Sequence, residues 1–527
     1  MDTKALRQKI LDLAIRGKLV PQDPNDEPAE VLLERIREQK QQMLKEGKLK
    51  KKDIKNDTII FKGEDNLHYE KFQDGTIKCI EDEIPFEVPE GWAWARLRDI
   101  CMMSAGKSKS TDQIKSEPFE ESYPCFGGNG VRGYVDEYNQ DGIFSIVGRQ
   151  GALCGNINIA IGKFYATEHA VVTTLFDGID FKWSNYILEA LRLNNYATGA
   201  AQPGLSVANI LNVFVPVPPT QEQDRIGNNV YESLKIVEAL EQEKIDLQKI
   251  IITAKTKILD LAIRGKLVPQ DPNDEPASVL LERIRTEKEE LIKQGKIKRD
   301  KKESVIFKGD DNSYYEKING EVFCINEEIP YDIPDTWTWM RLENCCIKEI
   351  RRGKSPKYTV NSTVLVFAQK CNTKYNGIDV SLAQYLDETT LKHYPSDEYM
   401  QDGDVVINST GTGTLGRVGI YRYTDNTTCL SIVPDSHVTV IRSFSCISSH
   451  YLYAFMKAHQ SELEKKGEGS TNQKELKPLT LKEMLIAVPP LSEQEHIENA
   501  ICTAFSRFAV IEGRVKKREF FHSSFCL

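Results

Sequence analysis

Three short motifs in this chain carry residue types that could do chemistry. The stretch GTGTLG, from Gly411 to Gly416, matches the dinucleotide fingerprint G-x-G-x-x-G, in which a following helix N-terminus holds a pyrophosphate. Here RVGIYRY follows, which favours a strand, so a glycine-rich β-hairpin is the better interpretation. Gly-Lys-Ser occurs at Gly106 and Gly353, without the earlier glycine that a phosphate-binding loop needs. These motifs therefore do not predict a nucleotide site.

Metal-binding and catalytic sets are also missing from the sequence. The twelve cysteines form no C-x-x-C pair, and no H-E-x-x-H is present. Both Pro-Pro pairs follow a valine, so the Asn/Asp/Ser-Pro-Pro-Tyr/Phe motif of amino-methyltransferases is absent. The eight histidines fall at unrelated positions in the two halves, and we expect structural or surface roles for them. We predict no catalytic residue, no metal site and no cofactor bound by this chain.

The polar residues that could recognise a nucleic acid lie in two stretches of the chain. Arg and Lys match guanine edges, Asn and Gln match adenine edges, and glycines let the backbone approach phosphate. An ordinary polar surface is the alternative for every candidate. The DNA-binding candidates are Asn129, Arg132, Arg149, Gln150 and Gln202 in the first stretch, and Lys354, Gln369, Lys370, Thr412, Arg417 and Gln473 in the second.

The elements that must position these residues are written twice. KILDLAIRGKLVPQDPNDEPA begins at Lys9 and again at Lys257, and VPVPPTQEQDRI from Val215 is echoed by IAVPPLSEQEHI from Ile486. The pattern ends at the C-terminus where the N-terminus resumes it, which predicts neighbouring chain ends and a pseudo-two-fold arrangement. The tail KKREFFHSSFCL departs from the corresponding IDLQKIIITAKT. Between the matched zones lie two unlike inserts, about residues 100 to 214 and 346 to 485.

We call the repeated segments outside the two inserts the frame, and their sequence pattern predicts helices. Thr220 with Gln223, and Ser492 with Glu495, fit capping boxes after the two Pro-Pro pairs. From Thr220 an apolar stripe runs to a C-cap at Gly265, which predicts a helix roughly 60 Å long. The stripe could pack on its own domain's sheet; we favour two antiparallel helices that separate two domains. Shorter helices start near residues 29 and 277 and end in lysine-rich runs, which are solvated faces or phosphate contacts.

The inserts read as mixed sheet and helix. Runs such as GIFSIVGRQGA, HAVVTTLF, GDVVINST and SHVTVIR predict strands, and WSNYILEALRL and SHYLYAFMKAHQSELEKK predict helices. The spacing of Trp92 and Trp94, and of Trp337 and Trp339, puts each pair on one strand face, packed in a core. The fold class is α/β (α+β). The predicted segments are repeat helices 1–60, a first domain 61–219, central helices 220–306, a second domain 307–490 and a C-terminal helix 491–527.

Composition sets limits on location and partners. The net charge of −9 argues against a nonspecific coat on nucleic acid but allows a local basic groove. No apolar run approaches the roughly 20 residues of a membrane span, and the N-terminus is too charged for a signal peptide. We expect a cytoplasmic protein with no membrane contact and with reduced, mostly buried thiols.

Taken together, these residues resemble the specificity subunit of type I restriction-modification systems. The resemblance rests on PVPPTQEQDRI and AVPPLSEQEHI before long helices, on the twice-used LDLAIRGKLVPQDPNDEPA, and on VGRQGALCGN and STGTGTLGRVGI inside unlike inserts. It implies that each insert is a target-recognition domain for half of a bipartite asymmetric DNA site. It also implies that the repeated helices act as spacer and dock two modification (methyltransferase) subunits, with restriction (translocase/nuclease) subunits completing the complex. S-adenosylmethionine and ATP with Mg²⁺ would be bound by those partners.

Two other hypotheses stay open from the sequence. One is a helical scaffold protein without DNA readout, built around the long helices. The other is a nucleotide-binding enzyme that uses Gly411 to Gly416.

Overall fold

The computed structural model describes residues 2–151, 153–199, 204–297, 299, 304–374, 377–411, 413–468 and 474–520, with side chains described up to residue 514. The chain folds as two compact units. Unit 1 consists of Met1–Ile245 and Lys517–Leu527, and unit 2 consists of Asp246–Lys516. Three of the predicted DNA-binding residues, Gln202, Thr412 and Gln473, lie outside the described residues.

Unit 1 combines the first copy of the frame with the first insert. Its helices are α1 (Thr3–Ile15), α2 (Ala29–Lys45), α3 (Lys51–Ile54), α4 (Leu97–Ile100), α5 (Phe181–Ala190), α6 (Val207–Leu211) and the first part of α7 (Thr220–Ile263). Its strands are β1 (Ile59–Lys62), β2 (His68–Lys71), β3 (Ile77–Cys79), β4 (Ala93–Arg96), β5 (Cys101–Ala105), β6 (Tyr123–Gly127), β7 (Gly130–Val135), β8 (Gln140–Gly148), β9 (Ile157–Ala166), β10 (Ala170–Leu175) and β11 (Phe214–Val217).

The first insert forms one six-stranded sheet in the order β5-β10-β8-β9-β6-β7. Strands β8 and β9 make a long antiparallel hairpin, paired from Gln140 opposite Phe164 to Val147 opposite Ile157. The far end of β9 then pairs in parallel with β6. The frame contributes a separate three-stranded sheet β1-β2-β3 and the pair β11-β4. A single ten-residue strand, β9, therefore ties both halves of the insert's sheet together.

Unit 2 repeats this plan with the second insert. Its helices are the rest of α7, α8 (Ala277–Lys293), α9 (Ser449–Ala458), α10 (Gln460–Lys465), α11 (Pro478–Lys482) and most of α12 (Leu491–Phe520). Its strands are β12 (Ser304–Lys308), β13 (Tyr314–Ile318), β14 (Glu321–Cys324), β15 (Thr338–Arg341), β16 (Arg351–Arg352), β17 (Tyr358–Thr359), β18 (Val364–Phe367), β19 (Gln384–Leu386), β20 (Val405–Asn408), β21 (Val418–Ile420), β22 (Ser431–Pro434), β23 (Val438–Ile441) and β24 (Leu485–Val488).

The second insert differs from the first in the arrangement of its sheets. It has two four-stranded sheets, β16-β23-β20-β21 and β17-β19-β18-β22. Strand β21 pairs with β20 as the start of β9 pairs with β8, and β22 pairs in parallel with β18 as the end of β9 pairs with β6. The segment between Ile420 and Ser431 interrupts what is one strand in unit 1. The insertion therefore splits a single sheet into two.

The predicted elements of the frame and inserts are confirmed. Helix α7 starts at Thr220, and Gly265 lies just beyond its end at φ +66°. Each strand or helix run quoted from the inserts contains a strand or helix of the structure, although GIFSIVGRQGA continues past the end of β8 and SHYLYAFMKAHQSELEKK forms two helices, α9 and α10. The mixed α/β fold class is therefore confirmed. Among the described residues, no helix is both long enough and apolar enough to cross a bilayer.

The apolar stripe of α7 packs within its own unit in the first part of the helix. Ile226, Val230, Leu234 and Val237 are buried in the main core of unit 1 together with Trp183 of α5. The interpretation in which the stripe packs on its own domain therefore holds for this part of the helix, and Ile10, Leu11 and Ala14 of α1 belong to the same core. The helix does also pair with α1, because Arg7 lies 3.8 Å from Glu238 and Thr3 hydrogen-bonds Glu241. Thr3 contacts the later residue of α7 and Arg7 the earlier one, so the two helices are antiparallel.

The predicted capping boxes have a different role. The Gln223 side chain accepts the N–H of Asp180 at 2.9 Å and donates to the carbonyl of Pro218 at 3.0 Å. Gln494 does the same with Ser448, at 2.7 Å, and Pro489, at 3.1 Å. Both glutamines are fully buried. They bond the helix start to the insert, while the hydroxyls of Thr220 and Ser492 donate to the Gly178 carbonyl and the Asp274 carboxylate. The helix positions were therefore right, but Thr220 with Gln223 and Ser492 with Glu495 do not act as the predicted capping boxes.

A tryptophan, a glutamate and a glutamine form the same cluster in both units. In unit 1, Glu222 accepts the Trp92 indole N–H at 3.0 Å and the Gln22 amide at 3.1 Å. Burial raises the pKa of the Glu222 carboxyl, and the two hydrogen bonds oppose that shift. In unit 2 the members are Glu493, Trp337 and Gln270, with distances of 2.9 and 2.6 Å. The repeated sequence therefore builds a repeated contact.

The tryptophan pairs are buried, as predicted, but one detail differs. In unit 1, Trp92 precedes β4 and belongs to the main core. Trp94 lies within β4 and packs with Ile60 and Ile80 in a smaller cluster. The two rings of unit 1 therefore serve two clusters rather than one shared face.

Candidate nucleic-acid interface

Four loops of the first insert meet through backbone contacts. They are residues 106–107, 127–130, 148–156 and 167–169, without Ala152, and we call them loop cluster 1. The Arg149 N–H donates to the His169 carbonyl at 3.1 Å, and the Thr167 N–H donates to the Phe126 carbonyl at 3.0 Å. Glycine is needed at the closest approach, because a Cβ on Gly148 would lie 1.8 Å from the Gly128 oxygen.

Four loops of the second insert meet in the same way. Loop cluster 2 consists of residues 353–354, 368–372, 408–416 and 435–437, without Thr412. The Ser409 N–H donates to the His437 carbonyl at 2.8 Å, and the Asp435 N–H donates to the Phe367 carbonyl at 3.0 Å. The side chain of Asn408 adds a hydrogen bond to the Gln369 carbonyl at 3.2 Å.

The two loop clusters share one backbone framework. Leu205 donates to the Arg149 carbonyl at 2.8 Å, and Leu476 donates to the Ser409 carbonyl at the same distance. The Gly155 N–H donates to the Gly148 carbonyl at 2.7 Å, and the Gly416 N–H donates to the Asn408 carbonyl at 2.8 Å. One backbone hydrogen bond therefore closes the third loop of each cluster. Equivalent positions nevertheless carry different side chains: Arg149 corresponds to Ser409, and Gln150 to Thr410. One framework therefore presents two different polar surfaces.

The structure places three of the unit 1 candidates in loop cluster 1. Asn129 is exposed at the turn between β6 and β7, where it accepts a hydrogen bond from Asn156 at 3.0 Å. Arg149 is half-buried and Gln150 is exposed at the end of β8. Arg132 lies just outside the cluster on β7, where its guanidinium donates to Thr111 at 3.0 Å.

Four of the unit 2 candidates also belong to or adjoin loop cluster 2. Lys370 is exposed, and Gln369 is half-buried and accepts from the Thr414 hydroxyl at 3.1 Å. Arg417 follows the glycine loop, and its guanidinium donates to the carbonyls of Asn372 at 2.7 Å and Gly413 at 3.2 Å. Arg417 therefore stabilises the glycine loop through hydrogen bonds to backbone carbonyls.

The fourth, Lys354, lies in a network of charges around one buried carboxylate. Its ammonium is 3.4 Å from the carboxylate of Glu398, which also contacts Lys348 at 3.3 Å and Arg351 at 2.6 Å. Burial lowers the pKa of Lys348, and the Glu398 and Asp397 carboxylates oppose that shift. Three cations therefore meet at one buried carboxylate beside loop cluster 2, and the carboxylates of Asp397 and Glu349 also lie 3.7 and 3.9 Å from Arg351.

The structure corrects our statement that the histidines are unrelated. His169 and His437 occupy equivalent positions, each directly before the strand that follows the fourth loop, β10 or β23. The signal was available in the sequence, as TEHAVV and DSHVTV, but it is too short to recognise without the fold. Lys107 also lies in loop cluster 1, at a Gly-Lys-Ser motif that lacks the earlier glycine of a phosphate-binding loop.

The Gly411–Gly416 loop connects two antiparallel strands, β20 and β21, as predicted. The element that follows this loop is therefore a strand, and not a helix whose N-terminus could hold a pyrophosphate. Across the described part of the chain, no group of three or more His, Cys, Asp or Glu residues could hold a metal ion.

Comparison with known proteins places these features in one family. The model of the type I restriction modification DNA specificity domain matches residues 89–254 and 334–516. The type I restriction enzyme EcoAI specificity subunit of Escherichia coli is 30% identical over 404 residues, which are 64% of this chain and 62% of that protein. The EcoEI specificity subunit of Escherichia coli is 26% identical over 597 residues, covering 98% and 91% of the two chains.

A solved structure has the same fold. It comes from a study of complex assembly and conformational transition of the type I R-M system. Its TM-score is 0.51 at 16% identity, and the match covers 82% of this chain and 95% of that one.

Proposed function

This chain belongs to the family of type I restriction modification DNA specificity proteins, and from that premise we propose that it binds one bipartite, asymmetric DNA site. Each loop cluster contacts one half of the site. The observation that carries this proposal is the shared backbone framework with unlike side chains at equivalent positions. Such an arrangement suits two half-sites that have the same DNA geometry but different base sequences.

The side chains of the loop clusters fit base edges in the major groove. Arg149 and Lys370 are suited to guanine, because their donors match its N7 and O6 acceptors. Gln150 and Gln369 are suited to adenine, where an amide both donates and accepts. Each cluster therefore carries one side chain suited to guanine and one suited to adenine, but on different loops of the shared framework: residues 148–156 in cluster 1 and residues 368–372 in cluster 2. This difference in position is compatible with two unlike half-sites.

We further propose that the duplicated frame docks two modification subunits. The Trp92–Glu222–Gln22 cluster and the Trp337–Glu493–Gln270 cluster have the same hydrogen bonds. Equal frames offer equal docking surfaces, so one partner type can bind twice. Native mass spectrometry of the co-purified complex should give two modification subunits per chain, and a ratio of one to one would contradict this docking.

In this proposal the chain itself is not an enzyme. Its described residues supply recognition, and the chemistry belongs to the partners: S-adenosylmethionine to the modification subunits, and ATP with Mg²⁺ to the restriction subunits. Calorimetry of the isolated chain should show no heat with ATP or S-adenosylmethionine. Binding of either would instead support an enzyme that uses the Gly411–Gly416 loop.

The decisive experiment is a domain exchange followed by methylome sequencing. The chain is co-expressed with its modification subunits, and long-read sequencing identifies the methylated motif. Replacing residues 100–214 with the insert of another family member should change one half of that motif and leave the other half intact. The matched exchange of residues 346–485 should change only the other half. A motif unchanged by both exchanges would contradict readout by the inserts and favour a scaffold without DNA readout.

A further inference from the structure

The Gly-Lys-Ser motif lies at the same place in both units. The Gly106 N–H donates to the Ala170 carbonyl, and the Gly353 N–H donates to the Val438 carbonyl, both at 3.0 Å. A Cβ on Gly106 would lie 2.0 Å from the Ala166 oxygen, and a Cβ on Gly353 would lie 2.2 Å from the Pro434 oxygen. In each unit these contacts fix the backbone position of the lysine, which lies in the first loop of its cluster, beside the fourth loop.

A histidine occupies the fourth loop next to each of these lysines. Thr167 and Asp435 lie two residues before these histidines. Their carbonyl oxygens would be 2.6 and 2.5 Å from a Cβ on Gly106 and on Gly353, so the fourth loop also packs closely on each glycine. The carbonyl of each histidine then anchors the third loop through the N–H of Arg149 or Ser409. Lysine and histidine thus belong to one shared arrangement, although the surrounding sequence is different in the two units.

The lysine and histidine side chains reach solvent. Lys107 is exposed, and the imidazole of His169 is 39% exposed and lies 3.3 Å from the Glu168 carboxylate. In unit 2, His437 is exposed and its Nδ1 is 2.7 Å from the Thr410 hydroxyl. The Lys354 side chain is 34% exposed, and its ammonium donates to the His393 carbonyl, lies 3.4 Å from the Glu398 carboxylate and is 5.6 Å from the centre of the Tyr394 ring. It borders an open cleft of about 640 Å³ that Lys357 and Lys392 also line.

We propose that Lys107 with His169, and Lys354 with His437, contact the DNA backbone phosphates in the two half-sites. This inference rests on the proposed function. The residues that differ between the clusters, such as Arg149 and Ser409, face bases that differ. The lysine and histidine recur because a phosphate is the same in every sequence. Ammonium and imidazole N–H groups are suitable donors to phosphate oxygens.

The test uses the complex with its modification subunits and a duplex that carries the motif methylated by the wild-type complex. Affinity is measured at several salt concentrations for Lys107→Ala, His169→Ala, Lys354→Ala and His437→Ala. Each lysine substitution should weaken binding roughly tenfold at low salt and reduce the slope of log affinity against log salt by about 0.9. The histidine substitutions should weaken binding in the same direction. The methylated motif should stay the same in both halves.

Two controls separate a phosphate contact from a structural role. Lys45→Ala removes an exposed lysine at the end of α2, and it should leave the affinity and the salt slope unchanged. Lys107→Arg and Lys354→Arg keep the positive charge, and they should restore most of the slope.

Three outcomes would overturn the inference. They are an unchanged affinity and slope, a loss of affinity that arginine does not restore, or a changed base in the methylated motif. Each outcome counts against the inference only when the wild-type complex binds its motif selectively in the same assay. Absence of selective binding by the wild-type complex would instead overturn the proposed function itself.

Discussion

The indole N–H of Trp92 donates to the carboxylate of Glu222 at 3.0 Å, across 130 residues of sequence. Trp337 and Glu493 repeat this bond at 2.9 Å. Each glutamate lies in the first turn of a long helix, and each tryptophan lies at the entry to an insert. This bond therefore fixes where the insert begins relative to the helix that follows it.

Replacing Glu222 should destabilise unit 1 locally. Glu222→Ala leaves the Trp92 N–H and one Gln22 N–H without this acceptor in a buried position, at a cost of about 2–3 kcal/mol. Hydrogen exchange should show faster opening of α1 and β4, with unit 2 unchanged. Glu493→Ala should give the mirror result in unit 2, while Glu222→Gln, which keeps one acceptor oxygen, should cost less. Equal protection in wild type and Glu222→Ala would show that the bond contributes nothing.

The pH dependence of unit 1 should contain a contribution from Asp99. Burial raises the pKa of its carboxyl from 3.8 to about 6, although the Lys40 charge opposes the shift. The fold favours the protonated form, so this group's contribution is complete below about pH 3.8 and is lost as the pH rises through about 6. Asp99→Asn is neutral at every pH. It should match the wild type near pH 4 and exceed it in stability above pH 6.

Thermal unfolding of wild type and Asp99→Asn at matched pH values measures this difference directly. Unit 2 supplies a natural control, because Asn344 follows β15 as Asp99 follows β4, and its amide donates to the Ser304 carbonyl at 3.3 Å. The reciprocal change Asn344→Asp places a titratable carboxyl at the equivalent position, and it should destabilise unit 2 more at neutral than at acidic pH. A difference between the Asp99 variant and wild type that does not vary with pH would contradict the assignment.

The glycines of the Gly-Lys-Ser motifs should tolerate no side chain. In Gly106→Ala or Gly353→Ala, the new methyl group would overlap a backbone oxygen, and we expect a loss of about 3 kcal/mol. Gly513→Ala is the matched control, because nothing lies within 4 Å of a Cβ there and the residue is helical. It should be neutral or stabilising by up to about 1 kcal/mol. Chemical denaturation of the three variants tests this order.

Substitutions in the loop clusters should change one half of the methylated motif at a time. Arg149→Ala removes the guanidinium of loop cluster 1, and discrimination at one base pair should fall by about 1–3 kcal/mol. Lys370→Ala should relax a position in the other half only. Long-read sequencing of DNA modified by each variant complex measures both. Relaxation in both halves from a single substitution would contradict separate recognition by the two clusters.

The sequence predicted the frame well because its signals are local and are written twice. The start of α7 follows from a Pro-Pro pair and an apolar period, and neither depends on distant contacts. The role of Gln223 was not predictable, because its partner is the backbone N–H of Asp180 in the insert. The same holds for the split of β9 into β21 and β22, which depends on which strands pair.

The candidate site was only partly visible in the sequence. Residue type marked Arg149, Gln150 and Lys370 as polar loop positions, and the structure places them in the loop clusters. Arg417 has the same chemistry, yet its guanidinium is turned inward to Asn372 and Gly413. His169 and His437 could not be matched by sequence, because only the bonds from Arg149 and Ser409 identify them as equivalent.

The glycine after each copy of the LDLAIR segment packs against the same partners in both units. A Cβ on Gly17 would meet Pro89 and Trp92, and a Cβ on Gly265 would meet Pro334 and Trp337. Each of these helices could therefore pack against the proline and tryptophan of the other unit, and the two gene segments that encode them are interchangeable in this respect. Recombination between them would remove one recognition unit and leave the other with a correctly fitting N-terminal helix. Exchange of a whole unit at these segments would therefore leave each hydrophobic core intact.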